Sequence, residues 1–136
     1  MANVAASGGS RVEAMEDIMP RSSPEERPAL PAPLLPIAWN RDDPPATGSV
    51  ASRLREEGVE PYAWSNGPGD RYPVHQHPYT KLLMCAAGLI TFLVGSDATP
   101  VELRPGDGFV LPPGTPHAAV VGPAGCTCLE GHRPEG

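Results

Sequence analysis

Lysine is nearly absent from this sequence: Lys81 stands alone against nine arginines. No run of Lys and Arg forms anywhere, and a net charge of −6 with a pI near 5.1 argues against a nucleic-acid or anionic-membrane surface. Aromatic residues make up only 5% of the chain, so stacking on sugars would rest on a thin set: Tyr62, Trp64, Tyr72, Tyr79 and Phe92. Long apolar runs are missing as well, which excludes a spanning helix of the usual 18 or so residues. The start lacks the basic residues and apolar core of a signal peptide, so the cytoplasm is the expected location. Three cysteines, Cys85, Cys126 and Cys128, make no even disulfide framework. They read as reduced, buried core residues.

What is abundant is punctuation. Nineteen prolines and fifteen glycines in 136 residues suit short strands joined by tight turns, within one domain. Residues 1–46 read as a disordered, proline-rich tail that cannot bury enough apolar surface to order itself. Its one apolar patch, around Leu30 to Trp39, could lie against the folded part or a partner. Residues 47–136 form the single domain. A short helix is expected from Thr47 or Ser49, ending where Gly58 offers a left-handed residue. Eight short apolar runs follow, at about 60–65, 71–77, 80–87, 89–94, 100–103, 108–111, 117–121 and 126–131. Gly, Pro, Asn and Asp fall between them, with no helical crossover to join parallel strands. The expected fold is therefore all-β, an antiparallel sandwich or barrel of the jelly-roll kind.

Only four histidines occur, and three fall in two glycine-framed segments, GDRYPVHQHPYTKLLMCAAG and GDGFVLPPGTPH. Residues i and i+2 of a strand share a face roughly 6.5–7 Å apart, so His75 and His77 can aim at one point. His117 follows a rigid Pro-Pro-Gly-Thr-Pro turn and can supply a third imidazole. Imidazole suits Fe, Mn, Ni, Zn or Cu without choosing among them, so a divalent metal ion of unassigned identity is the expected cofactor. His132 reads as a surface residue.

These residues resemble the cupin superfamily, whose first motif is G-x5-H-x-H-x3,4-E-x6-G and whose second is G-x5-P-x-G-x2-H-x3-N. Gly69, His75, His77 and Gly88 match the first, and Gly106, Pro112, Gly114 and His117 match the second. The resemblance covers about residues 59 to 131. It implies a small single-domain cupin barrel of the RmlC-like kind with its site inside, and, since such barrels are often paired, a homodimer. Two positions depart from the pattern: Lys81 stands where the family has a glutamate ligand, and Val121 where it has asparagine.

Strand parity turns Lys81 toward the histidines if no bulge intervenes. An ammonium about 5 Å from a divalent ion costs roughly 6–7 kcal/mol at an effective dielectric of ~20. Such a site needs a neutral lysine, an anion between amine and metal, or no metal. The anion is the favoured solution, with Lys81 as a charge clamp or catalytic base. The sequence thus points to metal on His75, His77 and His117 and a small anionic organic molecule as partner. Whether the molecule is oxidised, isomerised or decarboxylated stays open. So does the alternative of a non-catalytic binding or sensing cupin that needs no metal.

Overall fold

In a computed structural model the described residues are 30–133, and they build one antiparallel β-barrel with a single helix on its outside. The elements run β1 (Leu35–Pro36), α1 (Thr47–Glu56), β2 (Tyr62–Asn66), β3 (Arg71–His75), β4 (Thr80–Val94), β5 (Thr99–Leu103), β6 (Gly108–Leu111) and β7 (His117–Arg133). β7 takes β2, β3 and β4 as partners, and β4 also pairs with β5 and β6. No helix among the described residues is long and apolar enough to cross a membrane.

Two long strands replace four of the expected short ones. The runs at 80–87 and 89–94 merge into β4, and those at 117–121 and 126–131 into β7. Gly88 and the Gly122 to Gly125 segment are therefore bends within strands, where the ladder shifts register between Cys85 and Ala87 and again between Gly88 and Ile90. The bend requires glycine: Gly88 has φ +77° and a Cβ there would lie 2.0 Å from the Gly125 carbonyl oxygen. Long strands that bend together let one strand serve two faces of the barrel.

β4 reads as an unbroken apolar run because both of its faces are covered. Leu83 and Cys85 point into the barrel with Ile90, Phe92, Phe109 and Cys128. Leu82 and Met84 point outward, beneath Val50 and Leu54 of α1. Lys81 shares the inward parity of Leu83. Cys85, Cys126 and Cys128 are buried and form no disulfide among the described residues, as composition suggests.

The helix begins with Ala46 at its N-cap, and the Ser49 hydroxyl reaches back to accept the Ala46 N–H at 2.9 Å. Gly58 follows the helix with φ +89°, as expected. The tail expectation needs correction over 30–46. Residues 1–29 of that segment lie outside the described residues, but Leu34 and Ile37 are each 4% exposed, and β1 pairs with β6. The apolar side chains of this proline-rich strap supply the burial that its composition seemed to lack.

Candidate metal centre

His75 closes β3, His117 opens β7, and the two are register partners across that ladder. His77 lies beyond the end of β3 rather than on it, so the expected 71–77 strand stops two residues early. A different device places its ring: the Gly114 N–H donates to the His77 carbonyl at 2.7 Å, tying this link to the turn that precedes His117. The ring centroids stand 4.2 Å apart for His75 and His117, 4.8 Å for His75 and His77, and 5.2 Å for His77 and His117.

Hydrogen bonds decide which nitrogens are free. His117 Nδ1 lies 3.0 Å from the Thr115 carbonyl and His75 Nδ1 lies 2.8 Å from the Pro73 carbonyl. A carbonyl only accepts, so each Nδ1 carries the proton and each Nε2 keeps its lone pair. His77 Nδ1 is 3.1 Å from the Tyr79 hydroxyl, and Tyr79 also stacks on that ring. The Nε2 atoms of His77 and His117 are buried without a hydrogen-bond partner among the described residues. Buried polar atoms without partners are rare and call for an explanation.

A shared ion supplies one. One ligand atom from each of the three histidines lies within 4.8 Å of the others. Metal–nitrogen bonds of about 2.1 Å would hold the three nitrogens closer together than this, so binding would draw the rings inward. Burial lowers the His117 pKa to about 4, with His75 and Lys81 adding to the effect. Burial and then Lys81 lower that of His77. Both rings are neutral at pH 7, the state a metal requires. The three residues fit a divalent metal ion, of a kind that imidazole alone does not specify.

Beside the histidines lies a cavity of about 280 Å³. Lys81 lines it, only 8% exposed, so the inward orientation expected from strand parity is the one observed. Its Nζ stands 3.4 Å from Oε1 of Glu130. Glu130 is the residue that sequence reasoning missed. It is 5% exposed, accepts the Tyr62 hydroxyl at 2.6 Å and the Trp64 indole N–H at 3.0 Å, and faces His132 Nε2 at 3.5 Å. Burial alone would push its pKa up, but Tyr62, Lys81, Trp64 and His132 together hold it below the usual carboxylate value. A signal was present in the sequence: Cys126 and Cys128 read as inward, and the same parity turns Glu130 inward.

Part of the charge problem at Lys81 is thus solved inside the chain, by a carboxylate from β7. His132 is more than a surface residue, since it stacks on Tyr79 with centroids 3.9 Å apart. Val121, at the family's asparagine position, is simply core, 2% exposed.

This barrel has the cupin fold, and residues 64–129 match the family model of the cupin domain. No curated protein matches the sequence. Among solved structures, the DMSP lyase DddQ from Ruegeria pomeroyi is similar at 31% identity and a TM-score of 0.52, covering 57% of this chain and 39% of that one. A second DMSP lyase structure is similar at 26% identity and a TM-score of 0.52, covering 57% of this chain and 40% of the other. YcfD, a ribosomal oxygenase from Escherichia coli solved with cobalt and 2-oxoglutarate, shares the fold at 22% identity and a TM-score of 0.55, covering 66% and 28%. The chain spans about two fifths of the length of the lyases it resembles.

Proposed function

We propose that this protein is a metal-dependent enzyme that holds one divalent ion on His75, His77 and His117 and acts on a small organic anion in the adjoining cavity. The observation that carries the reading is the pair of buried, unpartnered Nε2 atoms on His77 and His117, converging with His75. When bound, such an ion supplies Lewis-acid polarisation of a substrate oxygen.

The chain's own residues do the rest. Thr115 and Pro73 fix two imidazole tautomers through their carbonyls, and Tyr79 orients the third ring. Lys81 offers a positive contact for an anionic group at the cavity wall, the catalytic position we assign to it. Leu83, Phe92 and Ala119 line the apolar part of the cavity and keep water from the body of the ligand. At 280 Å³ the cavity sits at the small end of ligand sites, which favours a compact metabolite. The likeness to DMSP lyases favours bond cleavage by elimination over the other reactions that a cupin barrel supports.

The test is incubation of the metal-loaded protein with a panel of small carboxylates, including DMSP, with products read by mass spectrometry. We expect conversion of at least one acid, abolished by chelator and restored by metal. Binding of acids without conversion of any would contradict the enzymatic reading and leave a binding module.

A further inference from the structure

We propose that Glu130 makes Lys81 an anion receptor, holding its amine in the cavity so that the site takes a ligand bearing a carboxylate or a similarly small anionic group. This deepens the metal-enzyme reading and rests on it for the ligand's second contact, at the ion.

Oε1 of Glu130 takes the Trp64 indole at 3.0 Å and Lys81 at 3.4 Å, while Oε2 takes the Tyr62 hydroxyl at 2.6 Å and faces His132 at 3.5 Å. A carboxylate with both oxygens engaged is an anchor and not a free base. It is therefore a positioning residue. Lys81 is in the opposite situation. An ammonium has three donors, and among the described residues Glu130 is its one ion-pair partner, at a distance that leaves room for a stronger acceptor.

Two physical effects then compete at the site. The Glu130 charge, by itself, repels an anion. Yet an ammonium 8% exposed is not held inside a largely apolar cavity without a partner: it swings out toward water. Burial makes the second effect the larger one, so Glu130 favours anion binding despite its sign. The cupin pattern has a carboxylate ligand where this chain has Lys81, so the charge facing the ion is reversed. A metal on three neutral imidazoles beside a balanced Lys–Glu pair retains a positive excess that only an anionic ligand relieves.

The chain offers an unusual probe, because Lys81 is its only lysine. Protein grown on lysine labelled with carbon-13 at Cε gives one lysine resonance, read in the full chain loaded with zinc and titrated with acetate. Acetate should shift that resonance saturably. Glu130→Gln should weaken acetate binding by about tenfold or more, the loss of a charge-assisted contact. That direction is opposite to what removal of a negative charge alone produces. A resonance that acetate leaves unmoved, or a Glu130→Gln variant that binds acetate as well as or better than wild type, overturns the proposal.

Should Glu130→Gln fail to fold, the double variant Lys81→Met with Glu130→Gln removes the buried pair as a unit, a change proteins often tolerate. It should also bind acetate about tenfold or more weakly by calorimetry, and wild-type affinity in it overturns the proposal. Failure of the metal reading is distinguishable, since it appears as absence of zinc uptake by the wild type. The same acetate titration on metal-free protein then judges the Lys81–Glu130 pair alone, with a saturable, Glu130-dependent shift supporting it and no shift overturning it.

Discussion

His117 titrates far from its ordinary value because the fold buries it: 2% of it is exposed and its Nδ1 is committed to Thr115. The unfolded chain binds a proton there near pH 6.5, whereas the folded chain resists until about pH 4. Below pH 6.5 the unfolded state therefore holds more protons, and stability falls as pH falls through that window. The loss approaches about 3 kcal/mol by pH 4. Urea denaturation of metal-free protein at pH 7 and pH 5 should show lower stability at pH 5. His117→Gln should show a shallower slope between the two, with the remainder coming from His77, whose pKa is lowered in the same direction. An unchanged slope would mean that His117 is not the group responsible.

At the scale of elements, the site depends on β4 and β7 bending together. β4 carries Lys81 near its start, and β7 carries His117 at one end and Glu130 near the other. The bend is what lets one strand present both a histidine to the metal cluster and a glutamate to the lysine. Gly88 and Gly125 meet at that bend, both with positive φ. Gly88→Ala places a methyl group 2.0 Å from the Gly125 carbonyl oxygen and adds the left-handed penalty of about 1–2 kcal/mol. Backbone must move in both strands to relieve the clash. We expect a loss of about 3 kcal/mol or more in denaturant titration. Gly114→Ala, with open space around its Cβ and φ +75°, should lose only the conformational part. Equal losses at the two positions would contradict the close packing of the bend.

For the molecule as a whole, the barrel and its three histidines were legible because they depend on local signals. Alternating apolar runs, turn residues and two spaced motifs identify the fold without any long-range information. The long strands were less legible, since Gly88 and Gly125 look like turns until their mutual approach shows them to be bends. His77 joins the cluster by a device that strand parity does not supply: its backbone is held by Gly114 and not by strand pairing. The strap at Leu34 and Ile37 was hidden by proline, whose density masks the few side chains that reach the core. Glu130 is hidden for a different reason: parity with Cys126 and Cys128 marks it as inward, but nothing local marks it as important. Its importance lies in partners scattered from Tyr62 to His132, a set that only the closed barrel assembles.

The proposed function stands on three histidines, without a carboxylate, holding one ion. Elemental analysis of the chain equilibrated with zinc and freed of excess metal tests it directly. We expect about one zinc per chain in the wild type, by the three-nitrogen coordination the site offers, and essentially none in His77→Ala or His117→Ala. A wild type that retains no zinc, and none of iron, manganese, nickel or copper in parallel trials, would contradict it, as would full occupancy after either histidine is removed.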